Sequence, residues 1–468
     1  MAEESWHVAR LIPTSGINGA EEQERRATSA LLAVMSAVHE FGRALTKPFG
    51  APAGVLETYV EVPFLVGDKK LFPDGLIRVA RGQKTWTALV EVKTGENLLA
   101  IEQLENYLDI ARDEGFDAVL TISNEIPPVA GQHPTQVDKR KLRKVALHHL
   151  SWTKILSEAV MQKEFRGVAD PDQAWILGEL IRYLEHRQSG AMAFNDMGDS
   201  WVAVREAVKT GTLRASDKGV AEVASRFDAL LCFAGLDLGK KLGTEVMPVL
   251  SRKELADPAS RTQALAGELV RSGQAAGAIR IPATVGDVVV TADLRAGTVT
   301  CHIDVDAPRE GRPTTRVNWL VRQLKAAPDG VRIEAHAAHE RGPGAAELLK
   351  KVRENPALLI ADPAKDLRSF RVAMTVPMGS KRGRGRGCFI DSVLTAIDAF
   401  YRDVVGHLKA WAAAPPRLRS EADALATEEG QVAPALVSTA LSSQDDRTPD
   451  GDGGLPATAA VGVAAPTE

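Results

Sequence analysis

The segment Phe72 to Gly95, FPDGLIRVARGQKTWTALVEVKTG, constrains the fold more than any other stretch. It holds two runs of strand-forming residues separated by Gly82-Gln83, a pair suited to a two-residue hairpin loop. With that loop Arg81 faces Lys84, and counting outward in register brings Asp74 opposite Glu91. Side chains alternate along a strand, so Glu91 and Lys93 share one face while Val92 points into the core. Asp74, Glu91 and Lys93 are therefore expected on one patch.

The flanking segments place this hairpin in a mixed sheet. From Gly19 to about Leu45, Ala27, Leu31, Val34, Val38 and Phe41 recur at three- and four-residue steps, which predicts one helix. Glu21, Glu22 and Glu24 occupy its first turns, where carboxylates suit the helix dipole. ETYVEVPFLV and KLFPDGLIRVA, joined at Gly67-Asp68, and KTWTALVEVK read as three antiparallel strands. A helix ending at Gly115, the strands FDAVLTIS and KVALHHLS, and helices over roughly 151–165 and 171–188 follow. Antiparallel strands followed by strands linked through helices predict an α/β fold, a mixed sheet flanked by helices.

The run SGAMAFNDMGDS sets a boundary near residue 192. Residues 193–414 are expected to form a second, α+β domain. It would have helices near 201–208, 218–233 and 259–272, and a hairpin turning at Ala296-Gly297. TTRVNWLVRQLKAA and AAELLKKVREN read as helices, VRIEAHA and FRVAMTVPM as strands, with a last helix from Cys388 to about Ala412. The tail 415–468 has no aromatic side chain and is rich in Ala, Pro, Gly, Ser and Thr, so disorder is expected there.

A pair of carboxylates beside an ammonium has a chemical use. Hard divalent cations such as Mg²⁺ bind one or two carboxylates, waters and phosphate oxygens. The metal acidifies water and neutralises charge growing at phosphorus, and the ammonium orients the nucleophile. With these residues the sequence resembles the PD-(D/E)XK nuclease superfamily, through Pro73-Asp74, about sixteen residues of hairpin, then Glu91-Val92-Lys93. Gln103 and Tyr107 in QLENY match the QxxxY motif of its RecB-like members. The resemblance covers roughly residues 20–150. It implies a restriction-endonuclease-like fold, Mg²⁺ or Mn²⁺ on Asp74, Glu91 and the Val92 carbonyl, and Lys93 acting on water. It also implies a helix glutamate, assigned to Glu24 ahead of Glu21 or Glu22, and a substrate-contacting or buttressing role for Gln103 and Tyr107.

The rest of the sequence bounds this reading. A net charge of −4 makes any phosphate-binding surface a local patch. GSKRGRGRG, with Lys381, Arg382, Arg384 and Arg386 among glycines, is the candidate; its alternative is a solvated loop. Arg316 and Arg322 flank Trp319 on a helix expected to anchor that Trp in the core. His148 and His149 point to opposite faces and cannot share an ion. Cys232, Cys301 and Cys388 match no zinc or disulfide pattern. With no secretion signal or membrane-length apolar run, a cytoplasmic protein is expected, with DNA as partner and no membrane. The reading admits a homodimer, a protein partner through the second domain, and a place in bacterial defence or DNA repair. Its alternative is a non-catalytic nucleic-acid-binding or regulatory module on a nuclease fold.

Overall fold

The structure, a computed structural model, describes residues 11–12, 19–66, 69–129 and 131–413. The Gly67-Asp68 joint and the tail 415–468 lie outside the described residues. The first half runs α1 (Ala20–Ala37), α2 (His39–Thr46), β1 (Val55–Val60), β2 (Phe64–Val66), β3 (Lys69–Leu71), β4 (Gly75–Arg81) and β5 (Lys84–Val92). It continues with α3 (Ile101–Asp113), β6 (Ala118–Ser123), β7 (Ala146–Ser151), α4 (Trp152–Met161) and α5 (Pro171–Glu185). Five strands form a mixed sheet ordered β1-β4-β5-β6-β7, antiparallel from β1 to β5 and parallel from β5 to β7.

The β5 strand is central because both its faces are apolar. Ala88, Val90 and Val92 join one core with Leu31 and Met35 of α1, whereas Leu89 joins another with Tyr107, Leu108 and Ala111 of α3. The sheet thus lies between α1 and α3.

Two expectations for this half need correction. The single helix from Gly19 to Leu45 breaks at Val38, whose φ of −108° and ψ of 91° are extended. The break folds α2 back on α1, and a Cβ on Gly42 would lie 2.2 Å from the Met35 carbonyl oxygen, a closeness only glycine permits. The first two expected strands also split, at Glu61 (φ 52°) to Pro63 and at Phe72-Pro73. Proline has no N–H for a ladder. As a result β1 pairs with β4, and β2 with β3 forms a separate two-stranded ribbon.

The second half holds α6 (Trp201–Thr210), α7 (Gly219–Leu242), β8 (Met247–Val249), α8 (Arg252–Ala256), α9 (Pro258–Ser272), β9 (Gln274–Arg280) and β10 (Val288–Asp293). Then come β11 (Thr298–Asp306), α10 (Pro313–Gln323), β12 (Arg332–Ala337), β13 (Ala345–Leu348), α11 (Leu349–Glu354), β14 (Leu367–Pro377) and α12 (Phe389–Asp403). Its seven strands make an antiparallel sheet ordered β13-β12-β14-β11-β10-β9-β8. Alternation decides which face is covered: Cys301, Ile303 and Val305 are buried, while Asp304 turns outward to pair with Arg371 at 2.8 Å. The start of AAELLKKVREN is the edge strand β13 and not helix, because Ala345–Leu348 pairs with β12.

Buried side chains change from one core to the other between Leu184 and Phe194. The described residues through Ala412 nevertheless form one compact unit. Helix α4 packs on α7, where the Ser157 hydroxyl donates to the Leu236 carbonyl at 3.4 Å. No helix among the described residues is long and apolar enough to cross a membrane.

Candidate functional site

The β4–β5 hairpin turns at Gly82-Gln83, with Gly82 at φ 60°. Arg81 pairs with Lys84 and Gly75 with Val90, and one step further sets Asp74 across from Glu91. Asp74 Oδ2 accepts a 2.7 Å hydrogen bond from the Val92 amide, which locks the carboxylate onto β5. In an extended strand the N–H and C=O of one residue point to the same side. The Val92 carbonyl therefore also points toward Asp74, while its side chain is fully buried.

Lys93 joins three elements. Its Nζ lies 2.6 Å from Glu91 Oε1 and 3.1 Å from Glu24 Oε2 of α1. Its backbone is pinned on both sides, the amide donating to Ile122 of β6 at 2.7 Å and the carbonyl accepting from Trp152 Nε1 at 2.9 Å. Glu24 also accepts from Asn97 Nδ2 at 2.7 Å. Glu21 and Glu22, the other glutamates of that turn, pair with Arg25 and Arg26 one turn on.

Glu91 is 1% exposed. The Lys93 ammonium lies against its Oε1, and both Glu91 oxygens are closed off from solvent. Burial, then the charge of Asp74, pushes its carboxyl up to about 8. Burial also raises Asp74, against the Val92 amide and Lys93. For Lys93 burial acts downward, but Glu91, Glu24 and Asp74 outweigh it and hold the ammonium above its usual range.

Three acidic side chains thus surround one ammonium, a set of oxygens that could take a divalent cation in exchange for the Glu91 proton. Among the described residues no group of three or more His, Cys, Asp or Glu side chains is placed to hold a metal ion without further ligands. Mg²⁺-type ions take one or two protein carboxylates and keep waters. The buried oxygens of Glu91, the Asp74 carboxylate and the Val92 carbonyl fit that requirement.

Tyr107 is buried, and its hydroxyl donates to the Phe72 carbonyl at 3.3 Å and accepts from Gln103 Nε2 at 3.1 Å. Burial first, then the charge of Glu91, holds the phenol protonated. The pair ties α3 to the approach to Asp74, so its observed bonds are those of a buttress.

The glycine-rich basic loop stands apart. Arg382 pairs with Asp196 at 3.0 Å and with Asp199, and Arg384 pairs with Asp391 at 3.4 Å. Arg386 is exposed, and none of the three bonds to the acid–lysine cluster among the described residues. Arg316 is buried, donating to three backbone carbonyls, of Gly311, Leu367 and Arg309. Arg316, Arg382 and Arg384 thus make structural contacts, while Arg386 has no ion pair among the described residues.

Several residues escape sequence reasoning. In the parallel register Thr121 lies beside Glu91, and His149 beside Thr121. The Thr121 hydroxyl meets His149 Nδ1 at 2.9 Å and His133 Nε2 at 2.8 Å. His149 Nε2 lies 2.9 Å from the Glu125 carbonyl, so it carries the proton and Thr121 donates to Nδ1. Burial keeps His149 neutral, down to about 4. His148 faces the other way and stacks on Phe49. Asn124, at the end of β6, donates to the carbonyls of Gly95 and Gly190, and its Oδ1 accepts from Met192 N–H at 2.7 Å. The Gly190 carbonyl also accepts from Gly95 N–H at 2.9 Å. The segment joining the two cores is thereby clasped to the loop that leaves Lys93. The one local signal was the polar pair Ser123-Asn124 closing an apolar strand.

In comparisons with known proteins, no family model and no curated protein matches this chain.

Proposed function

We propose that this chain is a divalent-metal-dependent nuclease of the PD-(D/E)XK type that hydrolyses phosphodiester bonds in DNA. The observation that carries the reading is Lys93 Nζ held between Glu91 and Glu24, with Asp74 across the strand pair from Glu91. The sheet order, with α1 and α3 on opposite faces, supports a restriction-endonuclease-like core.

Asp74, Glu91 and the Val92 carbonyl would hold Mg²⁺ or Mn²⁺, which when bound supplies an acidified water and a counter-charge for the phosphate. Lys93, charged at neutral pH, has no lone pair and cannot act as the base. It can donate to the attacking water and to a non-bridging phosphate oxygen, where charge develops. Glu24 and Asn97 hold the ammonium in place, and Glu24 is the acceptor beside it for a proton released at the water. Tyr107 and Gln103 fix the approach of β4.

The test is cleavage of single- and double-stranded DNA by the full chain with Mn²⁺ or Mg²⁺, beside Asp74→Ala and Lys93→Ala. Each substitution is expected to lower the rate by about a hundredfold or more. Equal cleavage by all three proteins would refute the assignment. Metal binding that depends on Asp74 with no turnover would favour a non-catalytic binding module.

A further inference from the structure

Between β6 and β7 the chain reads DKRKLRK over 138–144, five cations in seven residues. Val137 and Val145 tuck into the core beneath α3, in the same cluster as Tyr107 and Leu89. The intervening turn is therefore displayed on the sheet face that carries Glu91 and Lys93. It is anchored to α3: Lys141 Nζ meets Asp109 Oδ2 at 2.5 Å, and the Asp138 amide donates to Glu105 Oε1 at 3.0 Å. Asp138 in turn accepts from the Arg140 amide at 2.9 Å.

Lys139, Arg140, Arg143 and Lys144 are exposed, and none has an ion-pair partner among the described residues. The nearest acids of α3 are committed elsewhere, Asp109 to Lys141 and Arg112, and Asp113 to Arg112. Lys141 is spent as the anchor that presents its neighbours. The anchor points 105 and 109 lie about 3 and about 9 Å along the helix from Gln103, at 1.5 Å per residue. A strand whose scissile phosphate sits at Lys93 would pass this turn within a few nucleotides.

We propose that Lys139, Arg140, Arg143 and Lys144 form a phosphate-backbone contact surface that holds the DNA strand leaving the acid–lysine site. The inference rests on the nuclease reading and adds the path of its substrate. Four cations with no ion-pair partner among the described residues, on a turn anchored to the acidic α3, match a repeating monovalent anion. The turn carries no aromatic side chain to stack bases, so contact is to the backbone and indifferent to sequence.

The test uses full-length Asp74→Ala protein, so that DNA is not consumed, with labelled single-stranded and duplex DNA across a salt series. Paired variants, Lys139→Ala with Arg140→Ala and Arg143→Ala with Lys144→Ala, are measured singly and combined. The combined variant is expected to bind at least about tenfold more weakly at low salt. The slope of log affinity against log salt should shrink by about 0.7 to 0.9 per lost contact, roughly 3 in all. Each pair should give about half of that, so a folding defect in the combined variant leaves the result readable. Arg382→Ala with Arg384→Ala should leave the slope unchanged. An unchanged slope in the four-site variant, or no DNA binding by the parent protein, overturns the proposal. So does loss of binding to anionic vesicles with DNA binding intact. Wild-type cleavage of the same DNA, measured in parallel, reports on the nuclease reading by itself.

Discussion

A buried carboxyl set beside a second carboxylate holds its proton to higher pH, and at Glu91 burial and Asp74 outweigh the Lys93 ammonium that touches it. For metal-free protein the direction of the pH effect follows from Glu91, raised from 4.5 to about 8. The folded state binds one more proton than the unfolded chain between those values. Its contribution is complete below 4.5 and is lost as pH rises through 8, at up to about 1.4 kcal/mol per pH unit. Glu91→Gln should abolish that alkaline loss in thermal melts with chelator, and should melt above wild type near pH 8.5 by about 1–3 kcal/mol. Parallel curves would mean the carboxylate is solvated. His149 acts in the opposite sense. Lowered from 6.5 to about 4, it stabilises above 6.5 and loses that contribution as pH falls toward 4. His149→Gln should flatten this acid limb, as denaturant titrations at several pH values would show. Asp74, Glu91 and Lys93 were legible because a two-residue turn dictates the pairing around it. Thr121 and Asn124 were not, since the parallel register between β5 and β6 is set by packing under α3, with no turn to count from.

Elements were legible where periodicity was unbroken and misread where one glycine or proline redirected the chain. The residues of α1 and α2 share one apolar stripe, and nothing in that stripe marks Val38 as the corner. Gly42 does mark it, through the contact its Cβ would make. Gly42→Ala should lower stability by about 1–3 kcal/mol by prying α2 from Met35, read as a lower denaturation midpoint; an unaffected midpoint would show that the corner can open freely. The β9 strand, QAAGAIR, was missed because small residues give no strand signal, yet Gly277 faces Leu231 of α7 at a distance no Cβ would allow. The basic loop around Arg382 and Arg384 stood out by charge alone, which cannot tell that both have carboxylate partners, and the turn with Lys139 and Arg143, which have none among the described residues, was passed over. Gly190 is a further test at this scale. With φ at 77° and a Cβ that would sit 2.4 Å from Gln23 Oε1 and 2.7 Å from Thr94 Cβ, Gly190→Ala should cost about 1–3 kcal/mol and depress cleavage as well. A stability loss with full activity would separate the clasp from Lys93.

Three cores in one compact unit make a statement about the whole molecule. The seam between Leu184 and Phe194 was visible as a change in composition, but the helices packed across it were not, because α4 and α7 are each apolar for reasons a linear reading assigns to their own sheets. Ser189 and Met197 in the joint are fully buried. Limited proteolysis should therefore spare residues 188–197, and calorimetry should record one transition for both halves. Early cleavage in the joint would show the halves to be independent. One peptide carbonyl, that of Gly190, accepts from the strand exit behind Lys93 on one side and from Asn124 on the other. Any displacement of the joint is thereby felt at Gly95, two residues from the ammonium-bearing Lys93.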